Sequence, residues 1–99
     1  LKLNAFTTAA RPYVLKHNKE YHMWYSERKY QKKYLIKYSK SKNGINWKSK
    51  NFKVPTLKKF NDKSSCYPCV FQNNKKFYLL FNGNNYGKTG IAISELFYE

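Results

Sequence analysis

The stretch RPYVLKHNKEYHMWYS, Arg11 to Ser26, lies over YPCVFQNNKKFYLLFN, Tyr67 to Asn82, at a constant offset of 56 residues. Pro12 matches Pro68, Val14 matches Val70 and Asn18 matches Asn74. Tyr21 matches Phe77, Met23 matches Leu79 and Tyr25 matches Phe81. A second block, KYLIKYS at Lys33 to Ser39, falls on KTGIAIS at Lys88 to Ser94 with the offset reduced to 55, so one loop is a residue shorter. This many matches in register mark an internal repeat.

Each copy reads as short strands, because apolar residues recur with period two and no helical stripe interrupts them. Arg11 to Lys16 forms one strand, His17-Asn18-Lys19 a turn, and Glu20 to Ser26 an aromatic second strand. Lys33 to Ser39 makes a third. Ser41-Lys42-Asn43-Gly44 then carries an Asn-Gly hairpin signal, and Ile45 to Trp47 is expected to open a fourth. Lys48 to Lys63, with Pro55, is a longer Lys-rich connection. The expected fold is all-β, with antiparallel four-stranded meander repeats that make about two blades of a β-propeller in an incomplete ring. Residues 10–54 would be the first blade and 64–99 a truncated second, within one propeller portion spanning 1–99. A blade buries its faces against two neighbours, so two blades alone leave apolar surface bare. The chain therefore reads as a fragment, a ring-completing subunit or a truncated relative. A small two-sheet sandwich is the structural alternative.

Ninety-nine residues allow one small domain, with no apolar run long enough to span a membrane and no signal-peptide pattern. The formal charge of +15 invites a polyanion partner. Eighteen of the twenty basic residues are Lys, however, and they are scattered among eleven Asn without a block of five or six. Readers of bases lean on the bidentate fork of Arg, so the pattern favours a solvated basic surface and argues against nucleic acid. Aromatic content of 19% supplies strand formers and flat faces for stacking.

Two local motifs suggest chemistry and are better read as structure. NGNNYGKTG, Asn82 to Gly90, ends like a phosphate-binding loop, but its first glycine, Gly83, comes one position late. A strand pattern, Gly90 to Ser94, comes next, where a phosphate loop needs a helix N-terminus. Cys66-Tyr67-Pro68-Cys69 opens a strand, so its thiols are expected on opposite faces as two reduced, packed cysteines. With no second Cys pair, and with His17 and His22 distant in sequence, no metal site is expected. The acids are Glu20, Glu27, Asp62, Glu95 and Glu99, and they form no clear catalytic pair.

ARPYVLKHNKEYHMWYS, YLIKYSKSKNGINW and CYPCVFQNNKKFYLLFNGNNYGKTGIAIS together resemble the last blades of a five-bladed β-propeller family. The family comprises glycosidase-like proteins related to arabinanases, xylosidases and invertases. The similarity runs from about Ala10 to Ser94, and CYP-x-VF followed by NGNNYGKTG is its most specific part. The resemblance implies that the residue preceding Pro at each innermost strand points into a central funnel, where catalytic blades carry Asp. Here those positions are Arg11 and Tyr67, neither of them a carboxylate base. A Trp-Asp-Ser-Glu-like stretch expected before Cys-Tyr-Pro is replaced by Phe60-Asn61-Asp62-Lys63.

The resemblance thus implies a glycosidase-like propeller portion with a carbohydrate-binding or glycan-processing role, and no catalytic residue in this chain acting alone. The substrate-binding set is Arg11, Glu27, Arg28, Tyr67, Asn82, Asn84 and Tyr86. No cofactor or metal is called for. Expected partners are a carbohydrate or glycoconjugate, together with remaining propeller blades or further copies of the chain. A lectin-like oligomeric ring and a basic polyanion-binding domain are the alternatives. Two cysteines do not fix the compartment, and a cytoplasmic one is admissible.

Overall fold

A computed structural model describes residues 7–29, 33–54 and 64–96. Pro55, Asp62 and Glu99, named above, lie outside the described residues. The first sheet contains β1 (Thr7–His17), β2 (Glu20–Lys29), β3 (Leu35–Ser41) and β4 (Lys48–Lys50), in that spatial order. The second contains β5 (Cys66–Asn73), β6 (Lys76–Asn82) and β7 (Ile91–Leu96), again in chain order. All ladders are antiparallel. The chain is thus all-β, in two sequential meanders consistent with partial propeller blades.

The sequence repeat reappears in the backbone. Tyr13 faces Trp24 across the β1–β2 ladder, and Cys69 faces Leu80 across β5–β6, each 56 residues on. Both ladders carry an irregularity at the same place, between Ala10 and Tyr13 and between Cys66 and Cys69. Arg11 (φ 53°) and Tyr67 (φ 56°) share a left-handed backbone, as do Asn18-Lys19 and Asn74-Lys75 at the two hairpin turns. The shorter offset is kept too, since Met23 pairs with Ser39 and Leu79 with Ser94.

The fourth strand begins later than expected. Ser41 Oγ accepts the backbone N–H groups of Asn43 and Gly44, and Asn43 Oδ1 accepts those of Ile45 and Asn46. Side chains that satisfy backbone donors in this way hold a loop open against the ladder. Ile45 to Trp47 therefore belong to the loop, and pairing resumes only at Lys48. Gly44 supplies the positive φ of 79° that the loop requires.

Period-two alternation gives each sheet two faces. The first sheet turns Trp24 and Ile36 toward the second, with Tyr13, Leu15 and Tyr38 partly buried beside them. The second sheet answers with Val70, Phe77, Leu79 and Phe81. Trp24, Val70, Leu79 and Phe81 are each 1% exposed. Complete burial of such side chains contributes about 1.5–3 kcal/mol apiece, which makes this interface the core of the molecule.

Candidate functional site

The two repeated strand starts meet where the sheets join. At Arg11 and Tyr67 the backbone turns left-handed just before a proline, in the middle of a ladder irregularity. Such bulges re-aim a side chain, and a non-glycine residue held at positive φ costs about 1–3 kcal/mol. The outcome at both positions is a side chain directed to one shared surface. The Arg11 guanidinium carbon lies 5.2 Å from the centroid of the Tyr67 ring. The junction is pinned beneath by the backbone N–H of Tyr67, which donates to the fully buried Ser26 Oγ at 2.8 Å.

From Tyr67 the contact continues through aromatic rings. Tyr67 stacks on Tyr86 with centroids 6.0 Å apart and planes at 27°. Tyr86 meets Tyr34 edge-on at 5.9 Å, and the Arg28 guanidinium carbon sits 4.9 Å above the Tyr34 ring. Both arginines of the chain are thus at this surface, joined by three tyrosines. Sequence reasoning named Arg11, Arg28, Tyr67 and Tyr86 but missed Tyr34. Tyr34 has no partner in the repeat alignment that would have marked it, since Thr89 stands at its position.

The loop carrying Tyr86 runs from Gly83 to Gly90 and contains one short turn, Asn84–Gly87. Asn85 and Tyr86 within it are left-handed (φ 52° and 57°), so it presents no right-handed helix N-terminus, and β7 follows directly. Asn82 Nδ2 donates to the Tyr86 carbonyl at 3.3 Å. Asn84 is buried, its Oδ1 accepting the Ser64 N–H at 2.8 Å and its own N–H donating to Thr89 Oγ1 at 3.0 Å. Both asparagines therefore position Tyr86 through the loop. Glu27 is not brought to the surface, because it alternates with Arg28 along β2 and points to the other face.

The surface offers guanidinium donors and tyrosine faces and edges. The contacts Arg11–Tyr67–Tyr86–Tyr34–Arg28 involve no carboxylate among the described residues. The cysteines take no part. Cys66 is buried and Cys69 exposed. The expected alternation of the two thiols to opposite faces is not kept, because the irregularity between them sets Cys66 opposite Asn82 and Cys69 opposite Leu80, positions on one face of β6. Burial pushes the Cys66 thiol pKa up. No group of three or more His, Cys, Asp and Glu suited to a metal ion is found among the described residues. His22 is buried in the first sheet, its Nδ1 2.6 Å from the Tyr38 hydroxyl and its ring stacked on Tyr38. Burial holds its pKa below 6.5, and the nearby Lys40 charge adds to the shift. No helix among the described residues is long and apolar enough to cross a membrane.

No family model matches the sequence. Over 94 residues the chain is 32% identical to the uncharacterised protein Rv1502 of Mycobacterium tuberculosis, strain H37Rv, covering 91% of this chain and 30% of that protein. It is 31% identical, over the same shares, to the uncharacterised protein MT1551 of Mycobacterium tuberculosis strain CDC 1551. The chain thus spans 30% of the length of the curated relatives it matches. Among solved structures it is similar to a glycoside hydrolase, with a TM-score of 0.70 and 18% identity over 90% of this chain and 27% of the other. A complex of BT0996 and RGII matches with the same values. Identity this low carries the fold alone: the backbone of this chain is similar to 27% of each of those solved chains.

Proposed function

We propose that the chain is a carbohydrate-binding portion of a glycosidase-like β-propeller, whose sugar surface is the Arg11–Tyr67–Tyr86 junction. The observation that carries this reading is the meeting of Arg11 and Tyr67, 56 positions apart in the repeat, at 5.2 Å. Each is kinked into the same left-handed backbone. Tyrosine rings supply stacking faces for a sugar ring, and the guanidinium fork supplies paired donors for its oxygens. Glycosidic cleavage needs two carboxylates flanking the bond, so catalysis would draw them from outside this chain.

The same reading requires further blades. The outer face of the second sheet carries Ile91 and Ile93, 70% and 56% exposed, with Phe71 and Cys69 beside them. By the repeat, Leu80 and Ile93 on this face correspond to Trp24 and Tyr38, which the first sheet presses into the core. A neighbouring blade would cover it in the same manner, from the rest of a longer polypeptide or from another copy.

Calorimetric titration with arabinose-, xylose- and fructose-containing oligosaccharides tests the reading. Measurable binding by the wild type, weakened about tenfold or more in Tyr67→Ala, is the expected result. Equal binding by both proteins overturns the assignment, as does clear hydrolytic turnover by the purified chain.

A further inference from the structure

Lysine is scattered along the sequence, yet the β3–β4 hairpin gathers it in space. A cavity of about 440 Å³ on this hairpin is lined by Lys40, Lys42, Lys48 and Lys50, with Asn43 and Asn46. One carboxylate, Glu20, shares the lining and sits 3.9 Å from Lys40 Nζ. Lys40 and Lys48 are direct partners in the ladder. Like charges at paired positions disfavour a sheet, and an anion held between them removes the penalty. Asn43 adds to the donor character. Its Oδ1 accepts from the Ser41 hydroxyl and from the N–H groups of Ile45 and Asn46, so the loop that lines the cavity is held in place and the Asn43 amide carries the donor group as well. Edge lysines also discourage pairing with other chains, but that role needs neither a cavity nor donors converging on it.

The basic margin continues along β3. Its ladder with β4 covers Tyr38 to Lys40 only. Beside the uncovered Leu35–Lys37 lies a second cavity, about 310 Å³, whose lining includes Lys37, Lys53, Phe52 and Val54. The two cavities therefore share one sheet edge, and the seven residues of β3 reach roughly 20 Å along it.

We propose that a linear polysaccharide bearing carboxylate or sulfate groups binds along the β3–β4 edge, from the Lys40/Lys48 cavity toward the Lys37/Lys53 cavity. The choice of polymer rests on the glycan-related reading above, while charge complementarity carries the location. Lysine, a hydrated point charge on a flexible stem, suits diffuse anionic groups. The arginines that would read bases bidentately are both at the other surface.

The test is a binding titration with dextran sulfate and with polygalacturonate at several salt concentrations. Duplex DNA of matched length is the competitor. The double variant Lys48→Glu/Lys50→Glu keeps the edge charged against strand pairing but reverses its sign. It is expected to lose about tenfold or more in affinity and to reduce the log–log salt slope by about 1.5. Lys75→Glu/Lys76→Glu, on the second sheet's hairpin, makes the same change in net charge and is expected to stay within about twofold. Equal losses in the two variants overturn the proposal, as do absence of salt-dependent binding and tighter binding of DNA than of either polysaccharide. Neutral-oligosaccharide binding that depends on Tyr67 is expected to persist in Lys48→Glu/Lys50→Glu, which separates failure here from failure of the junction site.

Discussion

The two sheets are the same unit in two environments. Trp24 of the first and Leu80 of the second occupy equivalent positions, yet Trp24 is 1% exposed and Leu80 stands half-buried on an open face. Val14 and Val70 show the reverse, with Val14 50% exposed and Val70 1%. The sheets therefore pack head to tail, one face of the first against the opposite face of the second. An interface of that kind joins unlike faces, and it leaves the opposite face of each sheet outside it. Burial here thus follows from position in a stack rather than from position in the repeat.

The largest test of that contrast is a pair of truncations. Trp24→Ala is expected to destabilise the fold by about 3–5 kcal/mol in denaturant titration, and Leu80→Ala by less than about 2 kcal/mol. Equal costs would mean that the open face is buried in solution. Ser26 and Asn82 form a second equivalent pair. Ser26→Ala leaves the partly buried Tyr67 N–H without its acceptor and should cost about 1–3 kcal/mol. Asn82→Ala releases an exposed bond to Tyr86, so it should cost less than Ser26→Ala and act mainly on the loop. Amide hydrogen exchange at Tyr67 and in the Gly83–Gly90 loop separates the two effects.

A weaker effect is a dependence on pH confined to the first sheet. Buried His22 has a pKa lowered from 6.5, whereas a tyrosine, Tyr78, stands at its repeat equivalent. Between the lowered value and 6.5 the unfolded chain binds more protons than the folded one, so stability rises with pH across that window. It is complete above 6.5 and is lost as acid drives His22 toward protonation. His22→Phe is expected to flatten this portion of the stability–pH curve; an unchanged slope would place the titration elsewhere.

Much of the fold was legible because the repeat constrains it twice. Hairpin turns at Asn18-Lys19 and Asn74-Lys75, strand periods and the one-residue change of offset could all be read from aligned residues and then found in the ladders. The start of β4 could not. Ile45 to Trp47 alternate as a strand would, but the Ser41 and Asn43 side chains satisfy the backbone groups that pairing needs. Of the seven expected binding residues, Arg11, Arg28, Tyr67 and Tyr86 come into one chain of contacts, and for Arg11 and Tyr67 the visible signal was a residue before proline at a repeated strand start. Tyr34 does not carry one, and the face of Glu27 depended on where β2 continued past Ser26. The basic edge was invisible for a different reason. Lys40 and Lys48 are separated by a loop in sequence and become neighbours only through antiparallel pairing.

Whether the Arg11–Tyr67–Tyr86 junction holds a sugar is decided by a residue-resolved NMR titration of the chain with the tightest-binding neutral oligosaccharide. A sugar seated at the junction gives saturable shift changes centred on Arg11, Tyr67 and Tyr86, reaching Tyr34 and Arg28 along the ring contacts. Shifts centred elsewhere, or no saturable change at these five residues, would contradict the assignment.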